Sequence, residues 1–293
     1  HIGSAYGIFL SGMGPDSYME PVLIAYNTIS DFAVYGILIT FASDVSIIFN
    51  NIQHILTFGV QISSGENLFV KGNVIEGGMM PCIISDFDAP VVIEWNTILN
   101  NMYGVLLSSC ESPQIIYNTI MYSMFSTSLS DCDGARIAYN TMAYGTTSNL
   151  GIDDSDDVII EYNTIIGSAL DGIVADNCGD MTIQYNKIYD NGNSGINWLK
   201  CSGLISNNII GYSGSLSGNE DGIYLHDCLS TIPDVGLTTI SDNTIIGNYD
   251  GIYCAGSDPT IIRNYIANNV YGIWIYIGQG APSDATIGGT PDN

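Results

Sequence analysis

Basic residues are scarce in this chain: 5 Lys and Arg stand against 30 Asp and Glu, a formal net charge of −25 over 293 residues. A surface of that sign repels phosphate, which excludes nucleic acid as a partner and makes anionic membranes unfavourable. Apolar runs of about 20 residues, the length a bilayer-spanning helix needs, are also missing, so no membrane insertion is expected. Cysteine numbers seven, yet there is no C-x-x-C and no paired Cys/His spacing, which argues against a zinc site and against a disulfide framework. Histidine numbers only three, at His1, His54 and His226.

What is abundant is repetition, the property to read first. Asp171 to Ile188 gives the unit: G-I-x-x-x-x-C, a variable corner, then I-x-Y-N-x-I. The asparagine of the second half recurs at Asn27, Asn50, Asn73, Asn96, Asn118, Asn140, Asn163, Asn186, Asn207, Asn243 and Asn264. The first half recurs as YGILI, YGVLL, DGIVA, DGIYL and YGIWI, among others. Each piece is too short for a helix, rich in Ile, Val, Tyr and Thr, and alternates over about five positions, which is strand composition and strand period. No single copy can bury its apolar side, but copies stacked on one another can. The expectation is an all-β, right-handed, single-stranded parallel β-helix with three sheets, forming one domain over residues 1–293. At about 4.8 Å between strands, about twelve rungs make a rod roughly 55–60 Å long. The repeated Asn should occupy a sharp corner, in the left-handed backbone region, with its amide bonded to the Asn above and below.

Register then predicts columns. Cys110, Cys132, Cys178, Cys201 and Cys228 each lie five positions past the core residue of G-I, with Ser155 and Ser257 in the same slot, and should form an inward stack of small residues. Trp198 falls in an inward column beside Ala175 and should fill the space that alanine leaves. Trp274 aligns with Tyr253 and Tyr224 and should face out. Tyr26, Trp95, Tyr117, Tyr139, Tyr162 and Tyr185 should make a cross-rung ladder. Insertions interrupt the pattern at about Gly14–Pro21, Gly211–Asn219 and Leu229–Leu237; the last two flank one strand, where solenoids often carry function.

The candidate chemistry lies on the outward columns of the second half. Three positions past the core residue the column reads Ser108, Ser130, Asp153, Asp176, Leu199, His226 and Ala255; the next reads Ser109, Asp131, Asp154, Asn177, Lys200 and Asp227. General acid–base work is assigned to Asp153, Asp176, His226 and Lys200, because glycosidic or uronate chemistry wants carboxylates, a base and a neutralising cation on one surface. Tyr224, Asp227, Trp274 and a further acidic column at the strand entrance, Asp171, Asp221 and Asp250, are candidate ligand-binding residues. No cofactor is certain from the sequence; Ca²⁺ is the one that suits Asp153, Asp154 and Asp176.

The repeat resembles that of pectin-lyase-like parallel β-helices, especially NosD-like and carbohydrate-binding domains of bacterial and archaeal surface proteins. The resemblance covers essentially the whole chain. It implies that G-I-x-L lies on the first sheet, I-x-Y on the second and N-x-I on the third. It also implies that a polysaccharide substrate, where there is one, lies along the first sheet. No catalytic motif of those lyases, hydrolases or epimerases matches here, and Arg136 and Arg263 precede corner asparagines, away from the acids. The leading expectation is therefore an extracellular or cell-surface scaffold, adhesin-like and glycan-contacting, cut at both ends from a longer protein. Adjacent domains of that protein and other rod ends are further expected partners. A polysaccharide-active enzyme is the alternative.

Overall fold

A computed structural model describes residues 5–12, 21–78, 80–87, 91–211, 218–229, 237–276 and 285–288. The described residues form parallel strands on three faces and no helix. In one turn, Ser194–Leu199 lies on the first face, Gly203–Ser206 on the second and Ile209–Gly211 on the third. The third face is an 11-stranded sheet; the first and second join in one 22-stranded sheet. They join because Tyr35–Ile48 and Phe58–Lys71 run unbroken round the corner between them. The insertions expected at Gly14–Pro21, Gly211–Asn219 and Leu229–Leu237 fall almost wholly outside the described residues.

The stacking is in strict register. The exit column pairs Ser11 with Thr40, Thr40 with Ser63, Ser130 with Asp153, Asp153 with Asp176, Leu199 with His226 and His226 with Ala255, as the periodicity predicts. Inside, Ile37, Val60, Val105, Leu150, Ile173, Ile196, Ile223 and Ile252 are fully buried in one continuous cluster. Each such side chain contributes about 1.5–3 kcal/mol relative to exposure. The glycine before this column is required by close approach: a Cβ at Gly172 would sit 2.6 Å from the Gly195 carbonyl oxygen, and one at Gly195 would sit 2.7 Å from that of Gly222. Trp198 is fully buried between Ala175 and Leu225. The cysteine column is buried as well, each thiol donating to the carbonyl two residues back, as Cys178 does to Asp176 at 3.2 Å. Ser155 makes the same bond to Asp153 at 2.8 Å, so thiol and hydroxyl fill one structural role.

The asparagine ladder departs from expectation in two ways. After Asn186 it continues through Asn208, not Asn207: the Asn186 amide donates to Asn208 Oδ1 at 3.0 Å, and Asn208 to Asn243 at 3.0 Å. Nor is the ladder residue itself left-handed. The positive φ belongs to the residue before it, Tyr26, Trp95, Tyr117, Tyr139, Tyr162, Tyr185 or Asn207. That turn presents the following Asn inward, where its amide donates both to the next Asn and to a carbonyl of the previous turn; Asn163 reaches Asn186 at 3.0 Å and Ile137 at 2.8 Å. Its oxygen accepts the N–H and the amide of the Asn below it, so all its hydrogen-bonding capacity is used. A second ladder, unanticipated, runs at the corner from the third face to the first, from Asn191 through Asn219 and Asn248 to Asn269.

Candidate functional site

The tyrosines in the left-handed corner positions stack like coins. Successive ring centroids from Trp95 through Tyr117, Tyr139 and Tyr162 to Tyr185 lie 4.5–5.0 Å apart and nearly parallel. Interior rings of such a column offer solvent only their edges, so the ladder reads as cross-rung packing rather than a platform for a sugar face. The second face next to it is tied by ion pairs one rung apart, Lys71–Glu94 at 2.7 Å and Arg136–Glu161 at 2.6 Å.

The first face carries the acids the sequence singles out, in three settings. On the exit column Asp153 and Asp176 are neighbours, and Asp153 is held above the usual carboxylate range by partial desolvation, then by Asp154, Asp176 and Asp131. Leu199 intervenes between Asp176 and His226, which sets them two strand spacings apart, about 10 Å. His226 instead meets Asp227, Nδ1 to Oδ2 at 3.5 Å, and its ring tilts against Tyr224. The next position, Ser109, Asp131, Asp154, Asn177, Lys200 and Asp227, is the left-handed corner itself, with φ between 47° and 56°. Short polar residues are favoured there for the backbone alone. Asn177 bonds Asp154 across one rung. Among the described residues no three His, Cys, Asp or Glu side chains converge as a metal ion would require, and Asp153, Asp154 and Asp176 are no exception.

The entrance column is different. In the first half it is aromatic: Tyr6, Tyr35 and Phe58 stack at 5.3 and 4.8 Å, and Tyr103 on Phe125 at 5.7 Å. In register with them follow Ser148, then Asp171, Ser194, Asp221 and Asp250, before the column returns to Tyr271. Asp171 and Asp250 are 7% and 5% exposed, and Ser194 is fully buried. Asp171 accepts from Asn193 Nδ2 at 2.8 Å, from the Ser194 N–H at 3.0 Å and from Asn197 Nδ2 at 3.4 Å. Asp221 and Asp250 are directly in register on adjacent rungs. Burial, then the Asp250 and Glu220 charges, push the Asp221 carboxyl up to about 7. Asp250 Oδ1 and Ser194 Oγ are buried with no hydrogen-bond partner.

Beside this row, on the same face, the central outward column reads Val174, Asn197, Tyr224, Tyr253 and Trp274. Tyr224 and Tyr253 stack at 5.2 Å, and Trp274, 44% exposed, breaks the parallel stack with a tilt of 47°. Burial and the neighbouring ring or phenol raise both tyrosine hydroxyls, and Asp221 adds to each, which places all three groups in one electrostatic neighbourhood. Of the candidate residues, then, the structure gathers Asp171, Asp221, Asp250, Tyr224 and Trp274 about one patch. Asp153, Asp176, His226, Lys200 and Asp227 lie at the exit and corner columns on the opposite side of the face, with the His226 ring reaching back to Tyr224. The second asparagine ladder adds a shallow cavity of about 530 Å³ at the adjoining corner, lined in part by Glu220, Tyr249 and Val270. The N-x-x-G spacing of Asn219, Asn248 and Asn269 was the available signal for that ladder.

The family described as "Right handed beta helix region" matches at residues 6–142, 123–230 and 148–289. No curated protein matches the sequence. Among solved structures the chain is similar to the periplasmic alginate epimerase AlgG, with a TM-score of 0.66 at 14% identity, covering 90% of this chain and 77% of that one. It is also similar to the Dettilon tailspike protein gp208, with a TM-score of 0.67 at 15% identity over 86% of this chain and 60% of the tailspike. The A-module of the mannuronan C-5 epimerase AlgE4 of Azotobacter vinelandii gives a TM-score of 0.53 at 16% identity, covering 96% and 83%. At these identities the likeness establishes the fold.

Proposed function

The chain belongs to the right-handed β-helix family, and from that premise we propose that it is a rigid, non-catalytic surface rod that contacts glycans through the second half of its first face. The carrying observation is the outward column Tyr224–Tyr253–Trp274 set beside the buried acids Asp171 and Asp250 and the half-buried Asp221. Aromatic side chains give a sugar ring an apolar surface, and the phenols and carboxylates give its hydroxyls partners. The structural neighbours named as epimerases of alginate or mannuronan make a polysaccharide a reasonable partner for such a face. An extracellular or cell-surface setting goes with this reading, as do neighbouring domains of a longer chain. The test is a glycan array followed by calorimetry. Binding that falls at least about ten-fold in Trp274→Ala supports the assignment; binding untouched by that change but lost on altering the Tyr117–Tyr185 ladder refutes it.

One observation favours the enzymatic alternative. Asp221, its carboxyl pushed up to about 7 by burial and by Asp250, has the character of a general acid at neutral pH. Product analysis on neutral and uronic polysaccharides decides between the two. Turnover abolished by Asp221→Asn would establish the enzyme; absence of product with intact binding supports the scaffold.

A further inference from the structure

The geometry points to the row Asp171–Ser194–Asp221–Asp250 as the seat of an ammonium group, and so to a free-amine hexosamine of a cationic polysaccharide as the glycan this face takes. The inference rests on the glycan-contacting reading and narrows it.

The row is built of acceptors with no cation to answer them. Lys71, Arg136 and Arg263 are engaged with Glu94, Glu161 and Asp242 on or beside the second face, Lys187 begins a strand of the third, and Lys200 sits at the corner on the far side of the first. Two polar groups inside the row, Ser194 Oγ and Asp250 Oδ1, are more than nine-tenths buried and unpartnered. A buried acceptor left unmade is costly, by about 1–3 kcal/mol in general, and a donor brought to this column would relieve two at once. Asp171 is already satisfied by Asn193, Ser194 and Asn197, which leaves Asp221, Asp250 and Ser194 to receive the ligand. Asp221 is partly exposed and gives the row its contact with solvent.

The chemistry of the seat selects among donors. An ammonium carries three N–H donors, no acceptor and a positive charge, which matches a row of carboxylates and a hydroxyl. A uronate would bring a carboxylate against the acids of a chain whose net charge is already −25. A bare metal ion finds no converging trio among the described residues. The Tyr224–Tyr253–Trp274 column stands three residues further along the same face, where the ring of a seated amino sugar would meet it. The Asp221 carboxyl gives up its proton to solvent as the ammonium arrives. Glu220, Asp171, Tyr224, Tyr253 and, on the next rung, Tyr271 are the other titratable groups beside it, and none brings a positive charge.

The experiment is calorimetric titration of the full chain at physiological salt and about pH 6, where an amine is charged. The probes are a fully deacetylated glucosamine oligomer, its N-acetylated counterpart of equal length and an oligouronate. The amine form should bind at least about ten-fold tighter than the acetylated one, the worth of one charge-assisted hydrogen bond. The oligouronate should not bind. Asp250→Asn and, separately, Asp221→Asn should erase the preference in protein whose melting remains cooperative. Asp44→Asn with Glu66→Gln, which removes two charges far from the row against one in either variant, should keep it. Equal affinity for amine and acetylated forms, with binding still dependent on Trp274, would overturn the ammonium seat and spare the glycan reading. Failure of every glycan to bind would overturn both. An amine preference lost equally in the Asp44/Glu66 variant would show mere field attraction and overturn the seat.

Discussion

Two halves of one column, built on the same backbone, hold opposite chemistry. At the entrance to the first face, Tyr6, Tyr35, Phe58, Tyr103 and Phe125 pack as rings in the early turns, while Asp171, Ser194, Asp221 and Asp250 take the same register positions later. The fold accepts an aromatic there and gains stacking from it. It therefore does not ask for a buried acid, and the later turns depart from what packing alone would choose. The contrast with the corner column is instructive: Asp131, Asp154 and Asp227 sit at left-handed φ, where a short polar residue is what the backbone prefers. Acids in that column need no function to account for them, whereas those at the entrance do.

The largest effect should come from what the two halves share. Asn73→Ala and Asn163→Ala each strand donors of the ladder residue below, Asn50 and Asn140, and a carbonyl of the previous turn, Ile47 or Ile137. Both should cost about 3–5 kcal/mol in denaturant unfolding, and a marked inequality between them would show that the halves differ in scaffold as well as in surface. Next, Tyr35→Ala removes a ring stacked on both sides and should cost about 2 kcal/mol, with no change in pH dependence.

The acidic half should behave otherwise. Asp221 rises to about 7 in the fold from about 4 in an unfolded chain. A carboxyl raised on folding stabilises fully below the unfolded value and loses that contribution as pH climbs toward the folded one. The melting temperature of wild type relative to Asp221→Asn should therefore fall between about pH 4 and pH 7, and a flat difference would refute the paired-acid account. The smallest change is expected at the corner: Asp154→Gly, at φ 47°, should lie within about 1 kcal/mol of wild type.

Most of the architecture was legible because period and register are sequence properties. The Ser108-to-Ala255 column, the Cys178–Cys201 stack and the Ala175–Trp198 compensation all follow from counting. What escaped turned on backbone conformation. Asn207 and Asn208 are adjacent and both suit a corner, and only the φ of 56° at Asn207 shows which residue turns the chain and which enters the ladder. The entrance acids were found as a column, but their burial was not, since a position that leaves Tyr6 45% exposed leaves Asp250 only 5% exposed. Their pairing depends on the depth at which the chain enters the face, which spacing does not encode. The exit group Asp153, Asp176 and His226 was aligned correctly, yet alignment set His226 two rungs from Asp176.

The most direct measurement is a chemical-shift map of the labelled chain titrated with the tightest-binding oligosaccharide from an array. Perturbations concentrated at residues 221–226, 250–255 and 271–274 are the predicted result. Perturbations confined to the Tyr117–Tyr185 ladder or to the aromatic early turns would contradict the assignment of the glycan face.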